Sequence, residues 1–493
     1  MEGLKRDIDR IRTGITGFDE LAEGGLPAGR SVLVSGPAGS GKTLFGLEFL
    51  LRGVTDFNEP GVFVTFEERK SDIFSEVACF GWDLAEIEKQ GKVAFVDASS
   101  IAENQVEVGD YDFGALLARI RHAIDKVGAK RVVIDSVSAL FLRYKDNAIV
   151  RREMFKMIDA LRKANVTSVI TAERVRDEDA HSRFGVEDFV ADGVVFLYNT
   201  IVGRDRERQI EIVKLRGARH QTGRHHFLIG DSGLVIFPVQ KERLTETVWK
   251  DRISSGVVGV DSMIGGGLFR GSTTLLLGSS GTGRTVLGLH FLDEGATNGE
   301  KGLFISFEEG KPQVFNSAKS LGWDFEGHEK DDILKVVAWN PESMPIEFYL
   351  KEISALVTDW QPKRVVIDSV TPLVGHVDEQ RFRRFISALN AHLKAAGVTT
   401  IINYTTGASL QSVIAAESDL AVLADNIIVM RFGEADLGKE REIIVAKTRA
   451  SAHDESVRKY AIDRRGISVL GIEGELTDVF DKNKKRKAKK DGR

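Results

Sequence analysis

The sequence predicts an α/β chain made of two tandem copies of one domain, each a mainly parallel sheet covered by helices on both faces. Three observations carry that expectation. A glycine loop occurs twice, as Gly36-Pro-Ala-Gly-Ser-Gly41-Lys42-Thr43 and as Gly278-Ser-Ser-Gly-Thr-Gly283-Arg284-Thr285. Other landmarks recur in the two halves in the same order and at nearly constant spacing. Each half alternates short, nearly continuous apolar runs with helical patterns, as strands buried on both faces by crossover helices do.

Ser31-Val-Leu-Val-Ser35 reads as a strand that runs into the first loop. Leu44, Leu47, Glu48 and Leu51 beyond it have helical spacing. Further strands are expected at Val62–Phe66, Arg131–Asp135, Ser168–Thr171 and Gly193–Leu197, with helices such as Ala115–Val127 and Arg151–Ala164 between them. Gln209–Val213 and Gly233–Phe237 read as antiparallel additions at the sheet edge. Paired landmarks trace the repeat: Gly14-Ile-Thr-Gly17-Phe-Asp19 with Gly256-Val-Val-Gly259-Val-Asp261, Phe66-Glu67-Glu68 with Phe307-Glu308-Glu309, and Gly81-Trp82-Asp83 with Gly322-Trp323-Asp324. Arg131-Val-Val-Ile-Asp135-Ser136 pairs with Arg364-Val-Val-Ile-Asp368-Ser369, and Lys214, Arg216 and His220 pair with Lys447, Arg449 and His453. The expected domains are 1–245 and 246–475, joined near Gln240 to Lys250, followed by a basic disordered tail over 476–493.

A chain of 493 residues has room for two cores. Its 42% hydrophobic and 29% charged content is ordinary for a globular protein. No apolar run reaches the ~18 residues of a membrane span, and the N-terminus lacks a signal-peptide stretch. Cys79 is the one cysteine, so no internal disulfide forms, and a cytoplasmic location is expected. Its neighbours Val77, Ala78 and Phe80 make it a packing residue in this reading. The ten histidines form no ligand pattern with cysteine, which argues against zinc. The net charge of −5 argues against a general nucleic-acid surface. The lysine-rich stretch Asp481–Arg493 reads as a solvated tail, the alternative being a contact for an anionic partner.

The first loop offers backbone N–H groups and a helix N-terminus to phosphate. Lys42 can reach the β- and γ-phosphates and Thr43 can bind Mg²⁺. Asp135, at a strand end beside the loop, supports Mg²⁺ or caps the next helix. Glu67 and Glu68 also follow a strand and can orient and deprotonate a water; Glu308 and Glu309 repeat them. Lys214, Arg216 and His220, if offered across a subunit boundary, would stabilise charge on a transferred phosphoryl group, which requires a head-to-tail ring. Arg284 replaces a compact ammonium with a planar fork. Binding should survive there while turnover falls, because alignment matters more than net charge.

From Gly14 to Ile467 the sequence resembles the KaiC family, the double-domain RecA-like ATPases of the circadian clock. The likeness rests on the landmarks above and on Lys42-Thr43-Leu-Phe45, Phe80-Gly-Trp-Asp-Leu84, Val150-Arg-Arg-Glu153, Arg183-Phe-Gly-Val-Glu-Asp-Phe-Val190 and Lys214-Leu-Arg-Gly217. The resemblance implies two RecA-like P-loop NTPase domains in a homohexamer of two stacked rings, with ATP and Mg²⁺ between neighbours. It implies catalysis by Glu67 and Glu68, with Glu308 and Glu309 as second-ring counterparts, and metal contacts from Thr43, Thr285 and Glu308. Implied ATP contacts are Gly39, Ser40, Gly41, Lys42, Thr43 and Leu44 in one loop and Gly281, Thr282, Gly283, Arg284, Thr285 and Val286 in the other, with Asp135 and Asp368 beside them. The adjacent subunit would add Lys214, Leu215, Arg216, His220 and Asp231 in one ring, and Arg441, Lys447, Thr448, Arg449, Ser451 and His453 in the other.

In the family the second ring is an autokinase and autophosphatase acting on a Ser-Thr pair. Here that pair falls on Ala421-Val422, which have no hydroxyl, so no phosphorylation is expected there; Ser418 is the alternative acceptor. The tail is unlike the family's KaiA-binding tail, so KaiA is not an expected partner, and a KaiB-like or other signalling protein is the open one. The leading expectation is a regulatory ATPase that hydrolyses mainly in the first domain and signals to a protein partner. A serine/threonine autokinase and a DNA-binding RecA relative are the alternatives, the latter supported by the tail alone.

Overall fold

A computed structural model describes residues 9–98, 113–141, 147–174, 190–202, 205–238, 251–375, 377–406, 423–435 and 438–470. The chain divides into two units, Met1–Val239 and Gln240–Arg493.

In the first unit β1 (Arg10–Ile11) and β2 (Leu26–Pro27) form a small antiparallel ladder. The main sheet has nine strands: β3 (Ser31–Gly36), β4 (Gly61–Thr65), β5 (Val93–Asp97), β6 (Arg131–Asp135), β7 (Thr167–Glu173), β8 (Gly193–Val202), β9 (Asp205–Leu215), β10 (His225–Gly230) and β11 (Gly233–Phe237). Their order is β11-β10-β9-β8-β3-β7-β6-β4-β5. From β5 to β8 the pairings are parallel. β8 through β11 continue the sheet antiparallel. Strand alternation sends Val32, Val34, Phe63 and Val133 into one core beneath Phe45 and Phe49. Leu33, Val62, Val64 and Ile134 enter a second core with Leu116 and Leu161 on the other face.

The second unit repeats this plan. β12 (Arg252–Ile253) pairs with β13 (Leu268–Phe269). The main strands are β14 (Thr273–Gly278), β15 (Gly302–Ser306), β16 (Leu334–Ala338), β17 (Arg364–Asp368), β18 (Thr399–Thr405), β19 (Asn426–Ala435), β20 (Gly438–Thr448), β21 (Arg458–Asp463) and β22 (Gly466–Val469). Their order, β16-β15-β17-β18-β14-β19-β20-β21-β22, matches the first sheet strand for strand. The fold is therefore two RecA-like P-loop domains in tandem.

Two devices fix the strands that carry the chemistry. Arg131 is fully buried at the start of β6. Its Nε donates to Glu59 Oε2 at 2.7 Å, Nη1 to Phe49 O at 2.7 Å and Nη2 to Arg12 O at 2.7 Å. Arg364 does the same with Glu300 at 2.7 Å, Phe291 O at 2.9 Å and Ser254 O at 2.8 Å. Such a charge is tolerable inside only because its donors are satisfied. The last hairpin is clasped to the helix after the loop: Leu234 N–H donates to Glu48 Oε2 at 2.8 Å, and Ile467 N–H donates to His290 Nε2 at 2.8 Å. Gly233 and Gly466, both at positive φ, leave room for those acceptors; a Cβ would lie 2.5 Å from Glu48 and 1.9 Å from His290.

Some expectations shift. Phe66 lies just beyond β4, β8 runs on to Val202, and the expected helices begin earlier, at Phe113 and Asn147. Cys79 corrects the packing expectation: it is exposed. It sits in a short 3₁₀ turn, Ala78–Phe80, where Phe80 faces the core and Cys79 turns outward to donate to Glu76 O at 3.0 Å. Among the described residues no helix is long and apolar enough to cross a membrane.

Candidate functional site

In the first unit β3 ends at Gly36 and the chain turns through the glycine loop into the helix Lys42–Phe57. Gly39 and Gly41 have φ of 71° and 91°, a left-handed backbone that glycine adopts without steric cost. Ser40 is buried and its Oγ donates to Pro37 O at 2.8 Å, which closes the loop. Lys42 opens the helix, and its Nζ donates to Pro37 O at 2.9 Å. Burial pulls the Lys42 ammonium below the usual lysine range, opposed by the carboxylates of Glu173, Asp135 and Glu67. Leu44 is half-buried behind it.

Asp135 is buried at the end of β6 and accepts from the hydroxyls of Thr43 and Thr171. Burial pushes its carboxyl above the usual range, and the two hydroxyls oppose that rise. Thr43 and Asp135 thus form an oxygen pair of the kind a hard cation takes, next to the Lys42 ammonium. Glu67 Oε1 accepts from Ser136 Oγ at 2.9 Å. Burial raises the Glu67 carboxyl, and the Ser136 bond lowers it again in part. Glu68 is raised by burial and by Glu76; its Oε2 is buried without a hydrogen-bond partner among the described residues.

The second unit places the same parts. Thr285 bonds Asp368, whose Oδ1 also accepts from Asn403 Nδ2 at 2.9 Å. Glu308 Oε1 accepts from Ser369 Oγ at 2.7 Å, and Glu309 N–H donates to Ser306 Oγ at 2.8 Å. Burial raises the Glu309 carboxyl. Gly281 and Gly283 again have positive φ, and Thr282 Oγ1 donates to Ser279 O at 2.8 Å. Val286 is half-buried on the helix Arg284–Thr297. Arg284 departs from the first site. Its Nη2 donates to Thr405 Oγ1 at 2.8 Å, while Nη1 is buried with no partner among the described residues.

The basic sets lie at the other end of each sheet. Leu215 pairs with Gly193, which pairs with Val32 at the start of β3, so Lys214, Arg216 and His220 stand away from the loop that follows Gly36. The separation along β3 is about 13 Å, four steps of about 3.3 Å. Arg216 N–H donates to Asp192 O at 3.0 Å. Its side chain borders an open groove with Arg151, Arg152, Phe155, Lys156 and Val190. His220 Nδ1 is buried without a hydrogen-bond partner among the described residues. In the second unit Thr448 pairs with Asn426, beside Thr274 at the start of β14. Lys447 Nζ donates to Ala424 O at 2.9 Å, Arg449 lies 3.6 Å from Asp425, and Ser451 Oγ accepts from Arg252 at 2.6 Å. His453 is half-buried nearby.

Two residues grouped with these sets lie elsewhere. Arg441 Nε donates to Gly281 O at 3.4 Å, at its own loop. Asp231 is exposed in the turn between β10 and β11, whose Ile229 and Leu234 pack near Gly41. Three further residues touch or face the first loop. Asn199 Nδ2 donates to Ala38 O at 3.3 Å, Arg208 Nε donates to Gly39 O at 3.4 Å, and Glu173 faces Lys42. Arg208 occupies the place of Arg441 in the repeat, a signal present in the sequence. Ser418, Ala421, Val422 and the lysine-rich tail lie outside the described residues.

Comparison with known proteins supplies the family. The model of the KaiC ATPase family matches residues 11–241 and 253–474. The circadian clock oscillator protein KaiC of Synechococcus elongatus is 41% identical over 462 residues, covering 94% of this chain and 89% of its own. That of Thermostichus vulcanus is 41% identical over 468 residues, covering 95% and 90%. KaiC 1 of Synechocystis is 40% identical over 465 residues, covering 94% and 90%. With two RecA-like units, each built around a glycine loop and a strand-end aspartate, the chain belongs to the KaiC family of ATPases.

Proposed function

We propose that this chain is an ATP-hydrolysing regulatory protein that assembles as a nucleotide-dependent hexamer and signals to a protein partner. One observation carries the reading: each sheet holds its glycine loop at one end and its Lys-x-Arg pair at the other. The two halves of a complete site then come from two copies placed head to tail, which closes into a ring. Lys42 and the loop N–H groups bind the phosphates, while Thr43 with Asp135, and Thr285 with Asp368 and Glu308, would hold Mg²⁺. The cation, when bound, neutralises charge on the phosphates. Glu67, held by Ser136, and Glu68 orient a water and accept its proton. Arg216 and Lys214 of the next copy stabilise the charge that develops.

Hydrolysis falls mainly to the first unit. Arg284 keeps a cation at the second loop, but as a wider fork tied to Thr405, so the second site holds ATP more than it turns it over. The partner is a KaiB-like or other signalling protein rather than nucleic acid, in keeping with the net charge of −5. Light scattering with and without ATP, read beside phosphate release by Lys42→Ala, tests the proposal. Hexamers that need ATP, and loss of most turnover in the variant, are expected. A monomer at saturating ATP, or parental turnover without Lys42, refutes it.

A further inference from the structure

The two sites differ at one more place than their loop cations. β7 ends at Glu173, paired with Gly36; β18 ends at Thr405, paired with Gly278. These are the same position in the two sheets, each next to the first residue of its glycine loop. Glu173, set beside the first loop by its pairing with Gly36, faces the half-buried Lys42 together with Asp135 and Glu67, and Lys42 Nζ donates to Pro37 O at 2.9 Å. Thr405 accepts one bond from Arg284 Nη2 at 2.8 Å, and Arg284 Nη1 stays buried and unbonded among the described residues. Thr43 with Asp135 and Glu67 with Ser136 recur as Thr285 with Asp368 and Glu308 with Ser369.

Ammonium and guanidinium answer a carboxylate differently. A lysine is a compact charge with three donors; it can keep one toward an acid and turn the others to phosphate. An arginine beside a carboxylate forms two parallel bonds, which engage both its charge and its fork. Beside a hydroxyl it gives up one N–H and keeps the rest.

The geometry points to Glu173 and Thr405 as positioning residues that set how each loop presents its cation to a nucleoside triphosphate. Glu173 holds Lys42 in line for turnover. Thr405 steadies Arg284 by one bond and leaves Nη1 for the phosphates. This rests on the reading of both loops as nucleotide sites. It adds a rule: the strand-end residue and the loop cation work as a pair, and exchanging one without the other costs binding.

A four-variant cycle in the full chain tests it. In a Lys42→Ala background, Thr405→Glu, Arg284→Lys and their combination are compared by titration with a fluorescent ATP analogue in Mg²⁺ and by phosphate release. Thr405→Glu alone should weaken binding about tenfold, by pinning the guanidinium. On Arg284→Lys the same change should instead raise turnover about fivefold, a reversal that a merely structural role for position 405 would not give. Equal losses in both backgrounds overturn the inference. Should a second-unit variant fail to fold, the mirror pair decides in an Arg284→Ala background: Glu173→Thr should recover about tenfold in binding for Lys42→Arg, and no recovery overturns the inference. A Lys42→Ala chain that binds no nucleotide at all overturns the reading of the second loop and this rule with it. Binding that is present but strictly additive overturns the rule alone.

Discussion

Mixing two inactive variants tests whether a site is shared between copies. Lys42→Ala removes the loop cation and Arg216→Ala removes the cation at the far end of β9; both proteins also carry Arg284→Ala, so that only the first unit reports. Arg216 stands about 13 Å along the sheet from its own loop, and two strands over at ~4.8 Å each, outside the reach of its side chain. Each variant alone should therefore lose turnover heavily, Arg216→Ala by ~10³-fold as for other cations that act on the transition state across a boundary. In an equal mixture an interface is complete when its loop comes from an Arg216→Ala copy and its arginine from a Lys42→Ala copy. Random assembly makes about one quarter of the interfaces complete, so about a quarter of the parental rate should return. The assay is phosphate release against mixing ratio after subunit exchange, with a maximum at equal amounts. Mixed oligomers seen by light scattering without recovered turnover at any ratio would show that Arg216 does not act across a boundary.

Three further outcomes are expected. Glu67→Gln with Glu68→Gln should slow phosphate release while ATP stays bound; because burial raises both carboxyls, parental turnover should fall on acidification at a higher pH than an exposed glutamate would set, and a parental rate in the double variant removes both as the base. Arg284→Lys in a Lys42→Ala background should raise hydrolysis without adding the ~80 Da of a phosphate at Ala421 or Val422; equal rates would mean that something else limits the second site. The clasp residues should give opposite pH trends in thermal melts. Burial raises Glu48 from 4.5 to about 7, so between those values the folded state keeps a proton that the unfolded chain releases, and stability falls as pH rises; Glu48→Gln should remove that slope. Burial lowers His290 from 6.5 to about 4, so stability falls as pH drops through that window; His290→Gln should remove it, and unchanged slopes in both variants would contradict the assigned shifts.

The central strands are legible in sequence because burial on both faces leaves no polar alternation. β6 and β11 run as read, and β3 extends one residue further. The edge strand β5 is only half-buried, and Val93-Ala-Phe-Val-Asp97 does not stand out from its flanks. The loops and the acids after β4 and β15 are legible because they repeat. Glu173 is not, because its counterpart is a threonine and repetition hides it. The opposite placement of loop and Lys-x-Arg pair also cannot be read along the chain. It depends on β8 lying beside β3 with β9 folded back against it, an ordering set by pairing across the sheet. Arg441 shows the cost: grouped by sequence with Lys447 and Arg449, it belongs at the other end of β20.

That strand has a mechanical consequence. β9 carries Arg208 against its own loop and leads at its far end into Arg216, and β20 carries Arg441 and leads into Arg449 likewise. Arg208 and Arg216 are eight residues and at most roughly 27 Å apart; one bulge, opposite Val194 and Val195, interrupts the ladder between them, and the hydrogen-bonded remainder hardly stretches. In the proposed ring each such strand is a strut running from one nucleotide to the next. A loop that shifts when its phosphate leaves would push or pull the cation serving the following site. Hydrolysis events would then be passed around the ring in one direction through the backbone itself, with no hinge required.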